Sequence, residues 1–138
     1  MIIDPSEESD GMIFILLRPD NRVLLMLRDE NSRYFSNTWT FPGGACDYGE
    51  GFLAACIREA HEEFEANLQP NDCKLIMKRL NNHSLVYVCK ISNNNTLKQH
   101  EGKDMSLKTI EELKELELGY EQADIVPVLQ DYVVNQGK

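Results

Sequence analysis

Glu50, Arg58, Glu59, Glu62 and Glu63 place four carboxylates and one guanidinium within a short stretch at fixed spacing. Residues 51 to 64 read as a helix, because Phe52, Leu53, Ala55, Cys56, Ala60 and Phe64 recur on one side at helical spacing. Glu59, Glu62 and Glu63 are then related by i, i+3 and i+4 and share a face. Like charges so placed repel by about 0.2–0.5 kcal/mol per pair. A divalent cation removes that repulsion. Mg²⁺ prefers carboxylate oxygen, keeps several waters and is completed by substrate phosphates. The face therefore reads as a site for Mg²⁺, or Mn²⁺, holding a phosphorylated ligand. Glu50 sits just before the helix, where the dipole favours an anion. The plain alternative is a solvated glutamate-rich face with Arg58 paired to Glu62 at i+4. The Gly43-Gly44 turn, the offset of Glu50 and the extended run before them favour the first reading.

The elements that must position this helix follow from pattern. Residues 12 to 17 form a short apolar run, expected as a buried strand. Residues 18 to 22 are a turn, and 23 to 27 a second strand making a hairpin with the first. Residues 28 to 38 read as a loop, and 39 to 41 as an extended lead into Pro42-Gly43-Gly44. Beyond the helix, 75 to 80 and 84 to 91 are candidate partner strands about a turn at Asn81-Asn82. A loop is expected from 93 to about 104, then a short strand over 105 to 107. Thr109-Ile-Glu-Glu112 is a capping-box pattern opening a short helix to about Leu116. Residues 120 to 134 read as the last helix, with Pro127 near its first turns. Strands, helix, strands, helix suit a layered α+β or α/β domain.

Composition sets the bounds. The 138 residues are expected as one domain, with no linker or repeat. A net charge of −9 argues against nucleic acid or an anionic membrane as a general partner. It also means that an anionic ligand must be received by metal ions and local arginines. No run approaches a membrane span, and the first residues lack the pattern of a signal peptide. Cys46, Cys56, Cys73 and Cys89 show neither paired nor metal-ligand spacing. Reduced thiols in a cytoplasmic protein are the expectation.

The pattern Gly44-x5-Glu50-x7-Arg58-Glu59-Ala60-x-Glu62-Glu63 resembles the Nudix box, the signature of the Nudix hydrolases. Trp39-Thr-Phe-Pro-Gly-Gly44 is similar to the segment that leads into it. One departure is plain. The family pattern closes Glu-Glu-x-Gly and an aliphatic residue, where this chain has Glu65 and Ala66. The helix is expected to run two residues further, with Asn67 as its left-handed cap and Leu68 as the apolar residue.

The resemblance implies an α/β fold: the Nudix α/β/α sandwich around a mixed β-sheet. It implies divalent-metal hydrolysis of a nucleoside diphosphate linked to another group, in which the metal neutralises pyrophosphate oxygens and positions water. Carried over residue by residue, Glu62 and Glu63 are the main metal ligands. Glu59 binds metal or helps deprotonate water. Glu50 is a secondary ligand or supports the helix start, and Arg58 orients the carboxylates. The backbone carbonyl of Gly43 or Gly44 is a further ligand, glycine allowing the close approach.

His100-Glu101-Gly-Lys-Asp-Met-Ser-Leu107 is similar to the MutT branch, which implies Glu101 as another metal ligand; the other reading is an exposed loop glutamate. Arg28 falls where that branch binds phosphate, or is a surface charge closing a strand. Asp124 falls where it reads the nucleobase, or is an N-terminal helix cap. Trp39 reads as core. His61 and His83 have no assigned role.

Three functions follow. The first is a MutT-like pyrophosphohydrolase converting a nucleoside triphosphate to monophosphate and pyrophosphate. The second is a Nudix hydrolase of ADP-ribose, a nucleotide sugar or a dinucleoside polyphosphate. Asn81 and Asn82 stand where the ADP-ribose enzymes carry proline, and Tyr87 comes several residues late for the dinucleoside polyphosphate enzymes. The third is a nucleotide-binding Nudix module without catalysis, a class that usually lacks box glutamates.

Overall fold

The computed structural model describes residues 11–79, 84–92, 97–100 and 102–136. Its centre is β1 (Met12–Leu17), in which all six residues are buried. Burial on both faces requires a layer on each side of the sheet, and the side chains of β1 alternate between two cores. Met12, Phe14 and Leu16 pack with Ala55, Cys56, Ala60 and Phe64 of α1 (Phe52–Phe64). Ile13, Ile15 and Leu17 pack with Ile125, Val126 and Leu129 of the C-terminal helix. The result is the expected α/β/α sandwich.

The sheet is mixed, as expected. β1 pairs in parallel with β6 (Leu85–Lys90), and β6 pairs antiparallel with β5 (Cys73–Lys78). On its other side β1 meets β2 (Val23–Leu27) only at Leu17↔Val23. Beyond that hairpin the two strands splay, and the segment running into the box fills the gap. β3 (Trp39–Thr40) pairs with the end of β2, and β4 (Gly43–Gly44) with the start of β1. The amide of Phe14 donates to the Pro42 carbonyl between them, at 3.0 Å. The far edge of β2 is covered by β7 (Asp104–Lys108). This wedge carries the Pro-Gly-Gly turn into the middle of the sheet, directly before α1. The β4 pairing has no side-chain pattern of its own and was outside the sequence reading, whereas the turn expected at Pro70-Asn-Asp is present as a 3₁₀ turn.

Two expectations need correction. α1 does not run past Phe64. Glu65 takes the left-handed conformation (φ 57°, ψ 29°) and its amide donates to the His61 carbonyl. The Ala66 amide then reaches the Ala60 carbonyl at 3.2 Å. Ala66 is fully buried against α1, so core packing fixes the exit where the family keeps glycine. The last helix also starts later than expected. Gly119–Asp124 is a 3₁₀ segment, with Tyr120 (φ 56°) and Glu121 (φ 57°) both left-handed, and α3 spans Ile125–Asn135. Gly119 permits this turn, because a Cβ there would sit 2.8 Å from Cγ2 of Thr40. Thr109 and Glu112 form the expected capping box on α2 (Ile110–Lys114). The expected turn at Asn81-Asn82 lies outside the described residues, as does His83.

Among the described residues no helix is long and apolar enough to cross a membrane. The four cysteines are free, three of them buried, consistent with packing roles.

Candidate active site

Arg58 organises the carboxylates of α1. Its Nε and Nη2 donate to the two oxygens of Glu50, each at 2.9 Å, in the two-pronged geometry that suits guanidinium to carboxylate. Nη1 donates to Glu59 at 2.9 Å and to Glu62 at 3.2 Å, and Nη2 also reaches the Ala45 carbonyl at 3.2 Å. One cation thus disperses the repulsion among three carboxylates and ties the helix to the loop before it. The hydrogen bonds from Arg58 hold the Glu50 carboxyl below its ordinary range, helped by the Asp47 amide. Hydrogen bonding to Glu50 drives the Arg58 guanidinium further toward its charged form.

Glu50 does not cap the helix. Gly51 is the N-cap, without a side-chain hydrogen bond, and the first turn holds no acidic residue. Both oxygens of Glu50 go to Arg58 instead. Glu59 packs its carboxyl group against Gly44, where a Cβ would sit 2.9 Å from its Cδ. That contact gives a physical reason for glycine at 44. The Gly44 carbonyl oxygen lies against Gly11, where a Cβ would approach it to 2.5 Å. Glu62 is mainly exposed, whereas Glu63 is 7 % exposed.

A cavity of about 350 Å³ opens beside these residues. Glu63, Gly43 and Gly44 line it together with Arg28, Arg79, Tyr120 and Gln122. A volume of that order suits a small ligand. Arg28 lies one residue past β2. Its Nε donates to the Tyr34 carbonyl at 2.9 Å, and its guanidinium lies 5.2 Å from the centroid of the Tyr120 ring. Tyr120 also packs on Phe35, with ring centroids 4.4 Å apart. The left-handed turn at Tyr120 brings that ring to the cavity wall.

Asp124 occupies the N-cap position of α3. It precedes α3 but makes no side-chain capping bond. Its Oδ2 accepts from Nε of Arg79 at 3.2 Å. Arg79 is 1 % exposed, and its Nη2 also donates to the Tyr120 carbonyl at 2.6 Å. Arg79, Tyr120 and Gln122 were all missed by sequence reasoning. Arg79 directly follows a strand and Gln122 lies in an irregular segment, so neither carries a periodic signal. Glu101 lies outside the described residues. Its neighbour His100 pairs with Glu65 at 2.5 Å, and the His100 amide donates to the Glu63 carbonyl at 2.7 Å. Trp39 packs against the second core, as expected, and His61 is exposed.

The donor set is all hard oxygen, which suits Mg²⁺ or Mn²⁺. As they stand, the carboxylates converge on Arg58. Among the described residues no group of three or more His, Cys, Asp or Glu is arranged to hold a metal ion. Mg²⁺ sites commonly use one or two carboxylates and fill the remaining positions with water and phosphate oxygen. Glu63, which lines the open cavity, and its exposed neighbour Glu62 fit that requirement.

Comparison with known proteins places the chain among relatives of one family. The m7GpppN-mRNA hydrolase NUDT17 of Danio rerio is 39 % identical over 64 residues, covering 46 % of this chain and 21 % of that protein. The RNA pyrophosphohydrolase of Francisella tularensis subsp. mediasiatica is 36 % identical over 75 residues, covering 54 % of this chain and 44 % of the relative. The matches therefore span less than half the length of these curated relatives. A solved MutT structure from work on Aliivibrio salmonicida and Vibrio cholerae superposes with a TM-score of 0.72 at 17 % identity, over 88 % of this chain and 97 % of that one. That likeness concerns the fold. The sequence profile of the NUDIX domain matches residues 9–130, most of the chain and all of the site just described, and the chain belongs to that family.

Proposed function

We propose that this chain is a divalent-metal-dependent pyrophosphohydrolase that cleaves a nucleoside triphosphate to the monophosphate and pyrophosphate. The observation that carries this reading is a cavity lined together by a box glutamate, the Gly43-Gly44 turn, Arg28, Tyr120 and Gln122. A ligand in it would meet Glu63 of α1, the Arg28 guanidinium and the Tyr120 ring. The relatives named as RNA pyrophosphohydrolase and mRNA hydrolase support the reaction class.

In this reading Glu62 and Glu63 hold Mg²⁺ or Mn²⁺, with Glu101 and the Gly44 carbonyl as further candidates. The metal, when bound, supplies charge neutralisation at the phosphates and a more acidic water. Glu59, held by Arg58 on one side and Gly44 on the other, takes the proton from the attacking water. The water oxygen bonds to phosphorus, and the bridging oxygen leaves with its electron pair. Arg58 keeps Glu59 in place and Glu50 keeps Arg58 in place. Arg28 offers its fork to phosphate oxygen.

The partial matches to RNA pyrophosphohydrolases favour a second reading, in which the triphosphate is the 5′ end of an RNA. The test is turnover with Mg²⁺ or Mn²⁺ on nucleoside triphosphates, ADP-ribose, nucleotide sugars, dinucleoside polyphosphates and 5′-triphosphorylated RNA, with Glu63→Gln alongside. Metal-dependent release of pyrophosphate from nucleoside triphosphates, lost in the variant, is expected. Preference for the RNA would select the second reading. Binding without turnover on every substrate would sink both and leave a nucleotide-binding module.

A further inference from the structure

Cys73 opens β5 and Cys89 lies in β6, and the two stand directly opposite each other in the antiparallel ladder. Opposed residues in such a ladder have Cα atoms about 4.5 or 5.5 Å apart, according to their place in the hydrogen-bond pattern. Both values fall inside the window of about 4.4–6.8 Å that a disulfide needs. The two side chains also share a face. Cys89 is buried in the core beneath α1, and Cys73 packs against that core. Their thiols lie within hydrogen-bonding reach of each other, and the Cys89 thiol also meets that of Cys56 on α1. Spacing in the sequence gave no sign of this pair, because strand register creates it. β5 is the edge strand on its side of the sheet. Cys73 is half-buried there, and its Sγ donates to the Gln69 carbonyl at 3.8 Å, whereas Cys56 and Cys89 are fully buried. A small reagent therefore reaches Cys73 first.

We propose that Cys73 and Cys89 are a modification site, forming a disulfide by exchange with a low-molecular-weight disulfide and so tying the edge strand to β6. The Cys73 thiol loses its proton, and its sulfur attacks the S–S bond of the reagent. A mixed disulfide forms, and the first reagent sulfur leaves and takes up that proton. Cys89 then loses its proton, and its sulfur attacks Sγ of Cys73. The second reagent sulfur leaves as a thiol with the Cys89 proton. Two electrons have passed from the cysteine pair to the reagent. Hydrogen bonding to Cys89 raises the Cys73 thiol above its ordinary range, and hydrogen bonding to Cys56 raises that of Cys89. Thiolates so disfavoured make the exchange slow. They also make its product durable, since ionisation does not stabilise the reduced pair. The link closes a loop between the two strands and thereby restricts the unfolded chain.

Incubation of the reduced, folded protein with oxidised glutathione, followed by peptide mapping, provides the test. The expected product is a Cys73–Cys89 link, formed in Cys56→Ala as in the wild type and absent from Cys73→Ala. Cys89→Ala should stop at a glutathione adduct on Cys73. The oxidised wild type should melt about 5 °C or more above the reduced protein, and the reagent should leave the melting of Cys73→Ala unmoved. A link joining Cys89 to Cys56 instead overturns the proposal. So does a wild-type adduct on Cys73 that never resolves to a link, or no reaction while circular dichroism shows the fold intact. A link that forms only in denaturant overturns it as well, since the native register would then play no part.

Discussion

Glu63 and the Arg79–Gln122 wall border the same cavity but depend on opposite kinds of construction. The carboxylate end is local. Arg58 reaches Glu50, Glu59 and Glu62, all within eight positions of itself. The other wall is assembled from afar: Phe41 with Gln122 across 81 positions, and Arg79 with Asp124 across 45. The first end has charges to manage and does so with one arginine at the surface. The second has buried polar groups to satisfy and does so one by one. The difference teaches that the carboxylate cluster is written into one helix and the loop before it, while the Arg79–Gln122 wall depends on the tertiary fold.

This division can be tested by substitution. The largest effect is expected from Glu59→Gln, which should lower kcat on the order of 10²–10⁴-fold with little change in KM. A KM raised as steeply as kcat falls would break the separation of the two ends. Next, Asp124→Ala leaves the buried Arg79 guanidinium without its carboxylate. Breaking a buried pair is strongly destabilising, and discounting for the partly exposed Asp124 gives about 2 kcal/mol. Denaturant unfolding should read this loss, and an unchanged midpoint would show that the wall does not rest on the pair.

The smallest effect concerns acid. Glu50 titrates below its ordinary value of 4.5 because Arg58 bonds it. A carboxyl lowered in the folded state contributes stability that is full above the unfolded value and is lost as pH falls through the folded one. Melting temperature should therefore decline below about pH 4.5, and less steeply in Arg58→Ala. Equal slopes in the two proteins would show that the Arg58–Glu50 bond does not govern the acid response.

What the sequence made legible follows the same division. The carboxylate face of α1 could be read because Glu59, Glu62 and Glu63 obey a helical period and Gly44 and Glu50 sit at fixed offsets. The sandwich could be read because β1 is apolar throughout and the later strands and helices keep their periods. Asp124 could be located but not given a partner, since nothing near it in sequence announces Arg79. Gln122 gave no signal, because its acceptor role exists only once β3 has wedged beside β2 and Gly119 has let the 3₁₀ segment approach Thr40. The exit of α1 was misjudged for a related reason: the burial of Ala66 set it, and Asn67 did not.

Glu65 carries a lesson about what a signature records. The family pattern holds glycine there, and this chain keeps the left-handed angle with a glutamate whose side chain meets His100. What is inherited at that position is a bend in the backbone, which more than one residue can supply. At Glu62 and Glu63 the family pattern holds carboxylates, and this chain keeps the residues themselves. A pattern that weighs both kinds of position alike will pass over descendants that changed the residue and kept the bend.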